Sequence, residues 1–140
     1  MSGGEAMLRA VLANGVDTVF GLPGVQTYPL YDALKRHENQ VRSVHARHEL
    51  SAAYMAYGEA LEKAGAFVAT DRLGPSASAT TLTMADGKPQ VIDGPFADSK
   101  EQIGGYYIID VPDLDAALEW AGRCPAAHHG KIEIRPVWAM

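Results

Sequence analysis

A single helix, predicted over residues 50–64, separates two stretches of chain with different patterns of secondary structure. Before it, a strand over 16–21, a helix over 28–35 and a strand over 41–46 follow one another. That order predicts a βαβ unit, in which the two strands run parallel. After it come strands, another helix and a final strand, the order of a sheet covered by helices on one face. We therefore expect an α+β fold assembled from two dissimilar pieces.

Local signals define the elements around this helix. An amphipathic helix is predicted over 4–13, and Asn14-Gly15 ends it. Asp86-Gly87 is the strongest hairpin signal in the chain. Asp113 is a good N-cap for a helix that runs to Arg123. The remaining apolar or alternating runs predict strands, over 67–70, 79–84, 89–93, 104–111 and 131–137.

Size, charge and cysteine content narrow the class of protein. A chain of 140 residues suits one domain, or one domain with an appendage. Its net charge of −5 argues against nucleic acid or an anionic membrane as a partner. Its N-terminus lacks the features of a signal peptide, and no apolar run approaches the ~20 residues of a membrane span. Cys124 is the only cysteine, which excludes an internal disulfide and fits a cytoplasmic protein.

The first part of the chain carries three separated motifs in order: Gly15–Gly24, Tyr31–Leu34 and Ala46–Glu49. Together they resemble the start of the pyrimidine-binding domain of thiamine-diphosphate enzymes of the acetolactate-synthase type, over residues 3–56. The resemblance implies that Glu49 would hold a ring nitrogen of that cofactor. However, the family holds Mg²⁺ and diphosphate with Gly-Asp-Gly and a downstream Asn, and these 140 residues contain no such pattern. We therefore expect no cofactor for this chain alone.

The second part resembles a different family. It contains Asp-Gly-Pro-Phe within the segment Asp93–Glu101, and further matching motifs follow at Gly104–Tyr107, Leu118–Ala121, Cys124-Pro125 and Glu133–Val137. This set resembles the YCII-related family over residues 51–140. The resemblance implies a ferredoxin-like sandwich of the dimeric α/β-barrel type, here with an N-terminal βαβ arm. The chain thus resembles a fusion of two segments, 1–50 and 51–140.

Two expectations follow for the assembly of the sheet. Members of the YCII-related family begin with a strand that this chain lacks, and we predict that 41–46 fills the vacant position. Along the strand at 104–111, Tyr106 and Ile108 lie on one face while Tyr107 and Ile109 lie on the other. One layer of helices covers only one face, so the other predicts a partner, most simply a second copy in a homodimer.

Candidate chemistry centres on Asp93, Lys100 and Glu101. A carboxylate beside a lysine in a half-dry pocket can act as a general acid or base. Relatives of the fold move protons on small cyclic carbonyl compounds, which implies lyase-like or isomerase-like chemistry. The alternative is that Asp93-Gly94-Pro95 forms only a turn, with Lys100 and Glu101 solvated.

Two groups of side chains resemble metal sites without meeting the usual requirements. His45 and His48 adjoin Glu49 but lack a further well-placed ligand, and Cys124 precedes His128 and His129 in a loop. No metal is expected at either.

Three functions stay open on this basis. The first is a small-molecule pocket protein with weak acid/base activity, of the lyase or isomerase kind, centred on Asp93 and Glu101. The second is a non-catalytic module that engages a protein partner through its acidic surface. The third is a remnant that binds thiamine diphosphate through Glu49.

Overall fold

The computed structural model describes residues 1–97 and 99–138 of the 140. Asp98, within the Asp93–Glu101 motif, and the last two residues of the segment assigned to the YCII-like domain lie outside the described residues. The fold is mixed α+β, and it divides into two compact units, residues 66–110 and the rest of the chain. Among the described residues, no helix has the length and apolar character needed to cross a bilayer.

The predicted βαβ unit is confirmed. Helix α1 (Gly3–Ala13) precedes strand β1 (Thr18–Gly21), helix α2 (Tyr28–Arg36) and strand β2 (Arg42–His45). The two strands pair in parallel, from Thr18 opposite Arg42 to Gly21 opposite His45. The core beneath them consists of four buried residues, Leu8, Ala33, Leu34 and Val41. This local core stabilises the first third of the chain.

Helices α1 and α2 approach closely at Gly4. A Cβ atom added at Gly4 would lie 2.0 Å from the carbonyl oxygen of Pro29. Leu8, one turn further along α1, is completely buried. The side chain of Ser2 caps the helix by accepting a hydrogen bond from the Glu5 backbone N–H at 3.3 Å. Gly4 is thus needed at the point where the two helices touch.

Two further helices complete this unit: α3 (Glu49–Lys63) and α4 (Leu114–Arg123). The predicted cap of α4 is confirmed, because Asp113 Oδ1 accepts a hydrogen bond from the Ala116 backbone N–H at 2.8 Å. Buried Tyr57 on α3 donates a hydrogen bond from its hydroxyl to the Trp120 carbonyl at 3.1 Å. The Arg123 guanidinium lies over the Trp120 ring, 3.9 Å from its centroid. The Tyr57 hydrogen bond links α3 to α4, while the Arg123 contact lies within α4.

The second unit contains two antiparallel pairs of strands. Strand β3 (Phe67–Arg72) pairs with β6 (Gly105–Ile109), and β4 (Thr80–Ala85) forms a hairpin with β5 (Lys88–Asp93). The hairpin turn is the one predicted, since Asp86 and Gly87 have φ of 50° and 73°. Positive φ at both central residues is the mark of a type I′ turn, which matches the twist of the strands.

Two expectations about the sheet are wrong. Strand β2 lies in a two-stranded sheet with β1, so 41–46 does not complete an antiparallel layer. The nearby β1, connected through a short helix, offers β2 a partner at little cost in loop closure. Residues 131–138 form no strand, although their alternation predicted one over 131–137. A strand needs a ladder partner for its backbone groups, and the vacant position that would supply one is not filled.

Candidate functional site

The Asp93 turn is held firmly to the start of β4. Asp93 is the last residue of β5 and lies opposite Thr80. The next residue, Gly94, has φ of +112°, a conformation that side chains disfavour. Its N–H donates to the Ala79 carbonyl at 2.7 Å, and its carbonyl accepts from Thr81 Oγ1 at 2.8 Å. The backbone that carries Asp93 is therefore fixed, while the side chain itself is exposed.

Lys100 and Glu101 lie in the segment between β5 and β6, and both are exposed. The Ser99 hydroxyl donates to the Glu101 carbonyl at 2.6 Å, which shapes this segment locally. In the part of the chain that the structure describes, the side chains of Asp93 and Lys100 make no hydrogen bond or ion pair. The three candidate residues are thus present in one unit but are not assembled into a preformed cluster.

A recess of about 640 Å³ lies in the same unit, beside the segment that carries Glu101. Its walls are the end of β3, the turn after it and the residues that lead into β6. The Leu73 backbone N–H donates to the Gly104 carbonyl at 3.0 Å and so links the two walls. Its lining residues are Arg72, Leu73, Gly74, Pro75, Ser76, Gln102 and Gly104. Neither Asp93, Lys100 nor Glu101 is among them.

Sequence reasoning missed this recess. The available signals were a cation at a strand end directly before Leu-Gly-Pro, and the Gly104-Gly105 pair at the start of another strand. Glycines that precede a strand often permit close approach of a second backbone or a ligand. What the sequence did not show is that the two segments are neighbours.

Glu49 occupies the position that the resemblance to thiamine-diphosphate enzymes requires. It begins α3 directly after β2, beyond the carboxyl end of a parallel strand pair, and its side chain is exposed. Within the described residues, no three His, Cys, Asp or Glu side chains come together as metal ligands, and neither His45 with His48 nor Cys124 with its two histidines forms such a group. Glu49 is therefore an exposed carboxylate at the start of α3, without a metal-binding group around it in the part of the chain that the structure describes.

An ion cluster on α3 lies toward the other end of the β1–β2 pair. Lys63 Nζ contacts Asp17 Oδ1 at 2.7 Å and Glu59 Oε1 at 3.2 Å, and Arg42 also pairs with Glu59. The hydrogen bond from Lys63 lowers the pKa of Asp17. Partial desolvation opposes a similar change at Glu59, but hydrogen bonds from Lys63 and Arg42 outweigh it and lower that pKa too. These contacts attach α3 to the strands, so we assign the cluster to the fold.

Comparison with known proteins identifies the family. Residues 31–140 match the YCII-related domain. The chain belongs to the YCII-related domain family. An uncharacterized protein of Rhizobium meliloti is 37% identical over 117 residues, which cover 77% of this chain and 91% of the relative. YCII-related proteins have a ferredoxin-like fold, in keeping with the α+β content seen here.

The comparisons also find the resemblance to acetolactate synthases. The large subunit of acetolactate synthase isozyme 2 from Escherichia coli is 40% identical over 88 residues, and a probable acetolactate synthase large subunit from Methanocaldococcus jannaschii is 38% identical over 78 residues. These matches cover 61% and 56% of this YCII-related chain. The chain spans only 15% and 13% of the two synthase subunits.

Thiamine diphosphate does not fit the residues present. Glu49 could meet the pyrimidine ring, but the 140 residues include no Gly-Asp-Gly followed by Asn to hold Mg²⁺ and diphosphate. The exposed carboxylate at the start of α3 is also an ordinary, favourable arrangement near a helix N-terminus. This chain alone therefore lacks the residues that would hold thiamine diphosphate and its Mg²⁺.

Proposed function

We propose that this YCII-related chain is a homodimeric, cytoplasmic protein that binds a small molecule and catalyses weak acid/base chemistry of the isomerase or lyase kind. Asp93 is the proposed acid or base, and Lys100 and Glu101 are the proposed assisting groups. The observation that carries the proposal is that Asp93 shares one face of the β4–β5 hairpin with exposed apolar side chains. We also propose that the two segments 1–50 and 51–140 have separate origins.

The hairpin register identifies the residues on that face. Thr80 pairs with Asp93 and Leu82 with Val91, and side chains two apart on a strand point the same way. Leu82, Met84, Val91 and Asp93 therefore lie on one side, called here the Asp93 face. Its three apolar residues are 61%, 59% and 61% exposed. A monomeric protein seldom leaves such a contiguous apolar group in water.

A second copy of the chain is the occupant that the proposal assigns to the Asp93 face. Burial of apolar area contributes roughly 25 cal/mol per Å², and β6 offers further exposed apolar area at Tyr106 and Ile108. The dimeric ferredoxin-like arrangement that the family resemblance implies likewise uses a sheet face that a second copy covers. Covering the face would also remove water from Asp93, and a desolvated carboxylate accepts a proton more strongly.

Sedimentation velocity tests the dimer. The unmodified chain should sediment as a dimer at micromolar concentration, and Leu82→Glu, which places a charge on the Asp93 face, should shift it toward monomer. Thr83→Glu is the matched control, because Thr83 lies next in sequence on the opposite face of the same strand. A compact monomer at every concentration, or equal dissociation by both variants, would remove the basis of the proposal.

Proton transfer is tested by solvent exchange. The protein in D₂O should accelerate deuterium incorporation next to the carbonyl of a small cyclic ketone such as 2-cyclohexenone, followed by NMR. Asp93→Asn should abolish the acceleration, whereas Asp86→Asn, at the hairpin turn, should keep it. Equal rates for the unmodified chain and Asp93→Asn would refute acid/base catalysis at this residue.

One observation favours a second function, a non-catalytic module that engages a protein partner. Phe96, in the Asp-Gly-Pro-Phe turn, is 90% exposed, and large exposed aromatic side chains often anchor protein interfaces. The acidic net charge of −5 suggests that such a partner would be basic. A dimer that shows no exchange activity toward cyclic ketones would favour this function over the first.

A further inference from the structure

We propose that the recess lined by Arg72 is a binding site for a small carboxylate with an apolar body, independent of any catalysis at Asp93. The recess contains one cation and no acidic lining residue. Arg72 is thus the one charged residue of the lining, on a chain whose net charge is −5. The volume of the recess is about 640 Å³ and it is wide open to solvent, so a small ligand would lie partly exposed in it.

Arg72 is available to a ligand. In the part of the chain that the structure describes, its guanidinium makes no hydrogen bond or ion pair. The neighbouring carboxylate, Asp71, is on the other face of β3 and accepts a hydrogen bond from the Tyr106 hydroxyl at 3.1 Å. The planar fork of a guanidinium matches the two oxygens of a carboxylate, which explains the choice of ligand class.

Glycine residues let the β3 and β6 backbones lie close together beside Arg72. Gly105 is the register partner of Arg72, and a Cβ atom there would lie 2.8 Å from the Asp71 carbonyl and 3.4 Å from the Arg72 Cα. Gly74 and Gly104 also line the recess. A ligand can thus approach the backbone closely, next to the charged group.

The other lining groups supply further contacts for the ligand. The Ser76 hydroxyl and the Gln102 amide can donate to a carboxylate, while Leu73 and Pro75 offer apolar contact. The turn that carries Ser76 is held by two hydrogen bonds to the Pro75 carbonyl, from Ser78 N–H at 2.8 Å and Ser78 Oγ at 2.7 Å. A preformed wall reduces the entropy lost on binding.

Benzoate is the probe, with benzamide as its neutral counterpart. Titration of the full chain at physiological ionic strength, followed by two-dimensional amide NMR, should give saturable shifts at residues 72–74, 76 and 102–104. Because charge-assisted hydrogen bonds are the strong ones, Arg72→Gln should weaken benzoate binding by roughly tenfold or more. Lys88→Gln is the matched control, since Lys88 is an exposed cation of the same unit outside the recess. It should leave the affinity unchanged.

Several results would overturn the assignment. These are the absence of saturation at tens of millimolar benzoate, an unchanged affinity in Arg72→Gln, an equal loss in Lys88→Gln, or binding of benzamide as tight as that of benzoate. If Arg72→Gln fails to fold, Arg72→Lys serves instead, and the loss of the planar fork should still weaken binding. Asp93→Asn should bind benzoate normally, so failure of this site and failure of the proposed catalysis are separate outcomes.

Discussion

Replacement of Gly4 by alanine tests whether α1 and α2 pack as closely as the structure shows. The added Cβ would lie 2.0 Å from the oxygen and 2.3 Å from the carbon of the Pro29 carbonyl, and 2.8 Å from the Leu30 nitrogen. All three atoms belong to the backbone, so no side-chain rotation can relieve the clash. Since ordinary contact begins near 3.4 Å, the helices must separate locally by about 1.4 Å, the difference between 3.4 and 2.0 Å.

That separation disturbs a packed core. Leu8 lies one turn beyond Gly4 and is fully buried against Ala33 and Leu34. Forcing extra volume into a packed site costs about 1–3 kcal/mol, while exchanging glycine for alanine in a helix returns up to about 1 kcal/mol. We therefore expect Gly4→Ala to lower the free energy of unfolding by about 1–2 kcal/mol. Gly3 has no atom within 4 Å of an added Cβ, so Gly3→Ala should be neutral or stabilising by up to ~1 kcal/mol.

Urea unfolding followed by circular dichroism separates the two variants. The unfolding midpoint should fall for Gly4→Ala and stay or rise for Gly3→Ala, with unchanged dependence on urea. In a thermal scan, a loss of this size corresponds to a decrease in Tm of several degrees. If Gly4→Ala is as stable as the unmodified chain, the close approach of the helices is wrong. If both variants lose stability equally, the effect comes from the helix end and not from the contact.

Three further predictions concern other parts of the chain. Asp113→Ala removes the α4 cap and should cost about 1 kcal/mol in urea unfolding, whereas Asp115→Ala, in the same turn but without the cap bond, should cost a few tenths. Stability should fall as pH drops below about 5. The pKa values of Asp17 and Glu59 are lowered in the folded protein from their ordinary values of 3.8 and 4.5. Both carboxylates therefore stabilise the fold above those values, and this stabilisation is lost as they are protonated. Lys63→Met, which removes their shared partner, should make that fall shallower in denaturation at several pH values. Millimolar thiamine diphosphate with Mg²⁺ should leave Tm unchanged for both the unmodified chain and Glu49→Gln. Clear stabilisation that Glu49→Gln abolishes would show instead that the chain binds this cofactor through Glu49.

Local chemistry made much of the fold predictable. The α4 cap, the type I′ turn at Asp86-Gly87 and the βαβ unit each depend on residues close together in sequence. Their signals are steric or hydrogen-bonding preferences of single residues and short patterns. Such preferences act before any distant contact forms, so the sequence shows them directly.

The partners of the strands were harder to predict. An apolar, β-branched run indicates that 41–46 is a strand, but the same run satisfies either a parallel or an antiparallel neighbour. The nearer neighbour, β1, is the one observed. The alternation at 131–137 likewise indicates a segment with one apolar face. It does not indicate which strand this segment would pair with.

The same limit explains what was seen and missed at the candidate sites. Asp93 stood out because Asp-Gly-Pro-Phe is a local motif, and the structure confirms the turn at Gly94. The Arg72 recess depends on pairing between β3 and β6, which are more than thirty residues apart. Two of its lining residues, Gly74 and Gly104, have no side chain, and the sequence alone does not show that these two glycines lie near each other.

The register of the hairpin joins the two halves of the proposed function. Because Asp93 lies opposite Thr80, it shares its face with Leu82 and Val91; a shift of one residue would place it on the other side. Water around an exposed carboxylate stabilises its negative charge. That stabilisation weakens the carboxylate as a base toward a substrate. The same second copy that removes the apolar side chains from water would remove that stabilisation. Oligomeric state and acid/base chemistry at Asp93 are therefore a single physical hypothesis, whereas carboxylate binding at Arg72 requires neither.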